Sequence, residues 1–158
     1  MPERLKQLNH WLRHELGLPE YDIAPASSDA SFRRYFRVRF EGESRIAMDA
    51  PPEKESVAPF IHVAELFNGF GLHVPRILER DTQSGFLLLS DLGHEQYLHR
   101  LDESTAGWMY NDAMEALAAL QVQGPREADR LPWYTRELLN REMELFRVWF
   151  LNRHLGLD

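Results

Sequence analysis

The sequence predicts an α+β fold. Three observations carry that prediction. Strand-like stretches, with period-two alternation or short apolar runs, cluster before Gly93. Apolar stripes at helical spacing precede, interrupt and follow them. The composition then shifts once, near Gly93, from strand-rich to purely helical. Strands segregated from helices and joined by tight turns argue a mostly antiparallel sheet with packed helices.

The elements follow in order. Residues 2–16 read as an amphipathic helix, with Leu5, Leu8, Leu12 and Leu16 at helical spacing and Trp11 beside them. Pro2 suits a first turn and Gly17 a C-terminal stop. His10 and His14 lie four apart and could share a metal. No third ligand is near in sequence, and a solvated helix face is the better reading. Residues 21–26 read as a strand entering the loop 27–31. In the next strand Phe36, Val38 and Phe40 alternate with Tyr35, Arg37 and Arg39, which marks a half-buried strand. Residues 41–44 supply a hairpin turn, 45–49 the returning strand, and Pro51-Pro52 ends it because proline donates nothing to a ladder. Residues 53–70 carry a helical stripe of Val57, Phe60, Ile61, Ala64, Phe67 and Phe70. Pro59 places the regular helix start near itself, and Gly69 and Gly71 mark the end. Residues 74–80 and 86–90 read as strands joined by a hairpin loop at 81–85. Residues 105–123 read as a helix with Met109, Tyr110, Ala113, Met114, Leu117, Leu120 and Gln121 on one face, stopped by Gly124-Pro125. A last helix runs over 131–155.

Composition bounds the function. A chain of 158 residues, 44% hydrophobic and 27% charged, is ordinary for a soluble globular protein and long enough to own a core. It has no apolar run near 18 residues and no signal-like h-region. Zero cysteines exclude disulfides and thiolate metal sites and fit a reducing cytoplasm. A net charge of −7 argues against broad nucleic-acid binding. The basic cluster Arg33, Arg34, Arg37 and Arg39 therefore calls for a local explanation.

The stretch from Gly85 to Gly93, GFLLLSDLG, organises the chain. A buried strand that stops abruptly leaves backbone N–H and C=O groups that must find partners. An ordinary turn is one solution. A flat heterocycle with a donor beside an acceptor, such as adenine, is another.

Five strands with one packed helix, a short hinge and then helices is the layout of a kinase nucleotide lobe. Residues 28–38 (SDASFRRYFRV), residues 46–53 (IAMDAPPE) and the Gly85–Gly93 stretch resemble the aminoglycoside-phosphotransferase-like kinases. Within that group they are most similar to the bacterial N-acetylmuramate/N-acetylglucosamine kinases, anomeric sugar kinases of cell-wall recycling that make the sugar 1-phosphate from ATP. The likeness runs over essentially the whole chain. It implies a protein-kinase-like N-lobe at 1–92, a five-stranded antiparallel sheet plus one packed helix. The hinge and the first helices of a helical C-lobe would follow at 93–158. It implies ATP and Mg²⁺ as cofactors and an amino sugar as substrate, with no nucleic acid or membrane partner. By the resemblance, residues 28–32 form a phosphate-covering hairpin. Ser28, Ala30, Ser31 and Phe32 would lie at the phosphates, and Arg33 or Arg34 would add charge. The Ser90 carbonyl would accept from the adenine amino group, the Leu92 N–H would donate to the ring, and Leu89 would gate the pocket. Ile46, Ala47 and Leu88 would neighbour the base.

Two departures from the family pattern stand out. The third strand of such kinases carries a phosphate-holding lysine paired with a helix glutamate. Met48 stands at that position, Lys54 lies past two prolines, and Glu55 and Glu65 read as solvated helix carboxylates. The chain also has no His-x-Asp loop and no second aspartate for Mg²⁺. The expectation is a nucleotide lobe whose base and metal ligands lie beyond Asp158. Such a chain would not turn over alone, and its final helix would expose Phe146, Trp149 and Phe150 and favour self-association. An aminoglycoside or other small-molecule kinase, and a non-catalytic nucleotide-binding or interaction module, remain the alternatives.

Overall fold

The computed structural model describes residues 3–28 and 31–157. The chain divides into two compact units between Val122 and Gln123. The first holds the sheet. Its strands are β1 (Asp22–Ser28), β2 (Arg34–Phe40), β3 (Glu43–Asp49), β4 (Ile77–Asp81) and β5 (Phe86–Ser90). All neighbouring pairs are antiparallel, in the spatial order β1-β2-β3-β5-β4. Its helices are α1 (Glu3–His10), which continues as a π-helical turn over Trp11–Glu15, then α2 (Ala58–Gly69), a short α3 (Tyr97–Arg100) and α4 (Ala106–Gln123). Pro25 sits in the edge strand β1, the kind of strand in which a sheet tolerates proline, and a bulge follows between Pro25 and Ser27.

Register assigns every side chain of β2, β3 and β5 to one of two faces. Val38, Ala47, Phe86 and Leu88 share a face with α1 and its continuation, packing against Leu8, Trp11, Leu12 and Tyr21. Met48, Leu87 and Leu89 share the other face, packing against Val57 and Ile61 at α2. Both faces are therefore covered. This explains why β5 reads as an unbroken apolar run, Phe86-Leu87-Leu88-Leu89, rather than an alternation. Each fully buried leucine contributes about 1.5–3 kcal/mol.

Several boundaries differ from the sequence reading for clear reasons. Of the stretch 53–70 read as helical, residues 53–57 stay outside the helix, which begins at Ala58 beside Pro59 as expected, because Pro51 first turns the chain back on itself. Lys54 and Glu55 N–H both donate to the Pro51 carbonyl, at 2.8 and 3.0 Å. The strand expected over 74–80 is ordered as β4 only from Ile77, since Pro75 cannot join the ladder. On α4 the expected apolar face is mostly solvent-exposed. Met109 is buried, whereas Tyr110, Met114 and Leu117 are exposed.

The second unit contains two 3₁₀ turns (Gly124–Arg126 and Ala128–Arg130), α5 (Arg136–Leu145) and a π-helical continuation, Phe146–His154. Thr135 caps α5, its hydroxyl accepting from the Leu138 N–H at 3.2 Å. Phe146, Trp149 and Phe150 are exposed, as are Trp133 and Tyr134. Among the described residues no helix is long and apolar enough to cross a membrane.

Candidate nucleotide-binding site

A cleft of about 390 Å³ opens on the α2 face of the sheet. Its apolar wall is Ile46 from β3, Leu89 from β5, Phe60 from α2 and Pro75. Ala26, Tyr35 and Arg37 contribute from β1 and β2, and residues 90–96 form the margin. The sequence places these side chains by parity. Ile46 pairs with Leu89 and Arg37 with Ile46, so all three stand on one face.

The margin is tightly hydrogen-bonded. The Ser90 N–H donates to the Arg76 carbonyl, and the Arg76 N–H donates to Ser90 Oγ, both at 2.9 Å. Arg37 forms a two-pronged ion pair with Asp91, Nε to Oδ2 at 2.6 Å and Nη2 to Oδ1 at 3.0 Å. Ser44 also donates to Asp91. The Arg37 hydrogen bonds, with help from Ser44 and the Gly93 N–H, hold the Asp91 carboxyl far below the usual carboxylate range, and Asp91 raises the Arg37 pKa in turn. The Leu92 N–H has no hydrogen-bond acceptor among the described residues.

A second group lies at the start of β2. The Arg33 guanidinium pairs with Glu55 at 3.1 Å and bonds Ser31 Oγ at 3.3 Å. It lies 5.9 Å from the centroid of Phe60, the ring that also lines the cleft. The Lys54 ammonium lies 5.8 Å from the Phe32 ring. The backward turn at Pro51 thus returns Lys54 and Glu55 to the hairpin. Glu55 is not the solvated helix carboxylate expected, because it precedes α2 and faces Arg33. Glu65 is on α2 and pairs with Arg80 at 3.2 Å, both side chains remaining exposed.

Of the residues singled out from sequence, Leu89, Ser90 and Leu92 come together at the cleft. Ser31, Phe32 and Arg33 gather with Lys54 at the hairpin. Ala30 lies outside the described residues, as does the side chain of Ser28. Ala47 is placed elsewhere. It is fully buried against α1 on the opposite face, as is Leu88, because each is one residue out of phase with Ile46 and Leu89. Arg34 also belongs to that opposite face. It pairs with Asp49, a fully buried carboxylate that Arg4 of α1 also binds. Arg4 further donates to the Ser84 carbonyl at 2.7 Å.

Sequence reasoning missed Arg37 and Asp91, counting one within a basic cluster and the other as a turn residue. A usable signal existed. The Tyr35 and Arg37 face of β2 is continuous with Ile46 and Met48 of β3, so it could not be simply the wet face. His10 and His14 stand with ring centroids 4.7 Å apart on an exposed surface. Among the described residues no three His, Cys, Asp or Glu side chains gather as a metal ligand set.

With an antiparallel five-stranded sheet, one helix beside the cleft and a pinned segment after β5, the architecture is that of a protein-kinase-like N-lobe. The chain belongs to the phosphotransferase enzyme family, whose profile matches residues 22–156. It is 46% identical to N-acetylmuramate/N-acetylglucosamine kinase of Pseudomonas aeruginosa over 98% of this chain and 48% of that protein. It is 42% identical to the protein of that name from Pseudomonas putida, over 99% of this chain and 50% of the relative. For the one from Neisseria meningitidis the figures are 38%, 99% and 47%. The chain spans about half the length of the curated relatives it matches.

Proposed function

We propose that this chain is the nucleotide-binding part of a cytoplasmic ATP-dependent kinase for N-acetylmuramate or N-acetylglucosamine. In the overall reaction the γ-phosphoryl group passes to the anomeric hydroxyl, which gives up its proton, leaving ADP and the sugar 1-phosphate. One observation carries the assignment. The cleft has apolar walls and, at its margin, a backbone N–H at Leu92 that has no acceptor among the described residues. Adenine fits that chemistry, since its ring nitrogen accepts where Leu92 donates and its amino group donates where the Ser90 carbonyl accepts. Ile46 and Leu89, side by side on one wall, would contact the ring.

The phosphates would lie toward the hairpin. Met48 stands at the position of the missing lysine, enclosed by apolar side chains, and supplies no charge. Arg33 and Lys54 supply it instead. Arg33 is held by Glu55 as the family's lysine is held by its helix glutamate. Arg34 is withdrawn to Asp49 on the other face. Mg²⁺ would neutralise phosphate charge during transfer. Its ligands and the catalytic base are assigned to no residue of this chain, so the chain by itself should bind nucleotide without turnover. The exposed Phe146, Trp149 and Phe150 would support self-association.

Calorimetric titration with ATP and adenosine tests the assignment. Arg33→Ala and Lys54→Ala should weaken ATP several-fold more than adenosine, and Arg34→Ala should leave their ratio unchanged. Equal losses for both ligands would refute the phosphate role. The apolar Met48 favours a second reading, a nucleotide-binding module without chemistry. Phosphotransfer from ATP to N-acetylmuramate, N-acetylglucosamine and an aminoglycoside, assayed with the full-length gene product, separates the two.

A further inference from the structure

The segment after β5 has no regular secondary structure, yet it is fastened on both sides. Arg37 bonds Asp91 through two nitrogens, and its Nη2 also donates to the Gly93 carbonyl at 2.8 Å. The Gly93 N–H donates to Asp91 Oδ1 at 2.8 Å, and Gly93 sits at φ +89°, a conformation that favours glycine. Both backbone groups of Gly93 are thereby engaged. At the other end Ser90 is engaged with Arg76 through its N–H and its hydroxyl. Between these anchors the Leu92 N–H has no acceptor among the described residues. The Arg37 and Asp91 side chains are only 15% and 8% exposed, so salt screens their attraction weakly. An unanchored loop would average over many backbone conformers, and fixing each residue on binding would weaken the complex.

We propose that Arg37 and Asp91 are positioning residues for base recognition. Their ion pair holds residues 90–93 in the conformation that presents the Leu92 N–H and Ser90 carbonyl to the cleft before ligand arrives. The inference rests on the adenine reading of that cleft. It makes base discrimination, rather than phosphate binding, depend on a side-chain pair that reads no base atom. Such a pair acts through the backbone, as a bidentate arginine–carboxylate fork is suited to do.

The test compares three ligands on the full 158-residue chain: adenosine, purine riboside (which lacks the 6-amino group) and ADP. Wild type should prefer adenosine to purine riboside by up to about tenfold, the worth of one well-placed hydrogen bond. In Arg37→Met and Asp91→Asn that preference should fall below about twofold, while the ADP-to-adenosine ratio stays at the wild-type value. Asp49→Asn, on the opposite face, controls for lost stability and should lower Tm while keeping the preference. If Arg37→Met does not fold, the isosteric Asp91→Asn and the milder Ser44→Ala carry the test. A wild-type chain that binds no adenine ligand overturns the adenine reading and this inference together. Wild-type discrimination that persists in folded Arg37→Met and Asp91→Asn overturns this inference alone. A variant that loses the ADP-to-adenosine increment while keeping base preference would reassign Arg37 to the phosphates and overturn it as well.

Discussion

Asp49 is a buried carboxylate held by two arginines from different parts of the chain, Arg4 in α1 and Arg34 in β2. A buried charge is tolerated only with such partners. Removing the charge leaves two cations facing an uncharged amide. Asp49→Asn should therefore cost about 3 kcal/mol, the lower end for a broken buried pair, since both arginines keep some hydration. Urea denaturation measures it, and an unchanged midpoint would refute the role. Gly85 is a second critical residue. At φ +75° a Cβ would stand 1.9 Å from the Ala50 carbonyl oxygen. The same two residues share the hydrogen bond from the Ala50 N–H to the Gly85 carbonyl, at 2.9 Å. Gly85→Ala should cost more than the roughly 1–2 kcal/mol of the left-handed conformation alone, because backbone must also move. Its Tm should fall by several degrees.

Among the elements, β2 works on both faces of the sheet. Its Arg34 faces α1, and its Arg37 faces the cleft and holds Asp91. The Asp91 carboxyl is depressed in the folded state, so its stabilising contribution is fully present above the unfolded carboxylate pKa, about 3.9. That contribution is lost as pH falls further toward the folded value. Wild type and Asp91→Asn should differ in Tm by a constant amount between pH 5 and 8, and the difference should begin to shrink below about pH 4 and go on shrinking as pH falls. Curves that stay parallel to low pH would rule out the ion pair as the source. The turn between β3 and α2 is the other active element. Because Pro51-Pro52 folds the chain back, Pro52→Ala should loosen the placement of Lys54 and Glu55. It should weaken ATP more than adenosine, as read by titration.

For the molecule as a whole, the two compact units carry different burdens. The first has a core on each face of a sheet. The second exposes Trp133, Tyr134, Phe146, Trp149 and Phe150, a density of apolar surface uncommon in a solitary protein. Sedimentation over a concentration series should show reversible association, and Trp149→Lys should reduce it. A monomer at every concentration would argue against that surface as an interface.

What the sequence determined is local and periodic. The strand Phe86–Ser90 was legible to the residue, because an apolar run between a glycine and a Ser-Asp-Leu-Gly break admits few alternatives. It was the likeness to the kinase family, and not the run itself, that singled out Leu89, Ser90 and Leu92, all of which border the cleft. Periodicity also separated the alternating residues of β2 into two sets. It could not say what covers each set, since period two distinguishes faces without naming their neighbours. Only the tertiary structure decided that Ala47 faces α1 and Ile46 the cleft, that Arg34 serves Asp49 and Arg33 serves Glu55, and that Arg37 reaches Asp91 across 54 residues. The ion pairs among them are long-range choices by the arginines of β2 and the one just before it. Register and the backward turn at Pro51 make them, and no single stretch of sequence contains both partners.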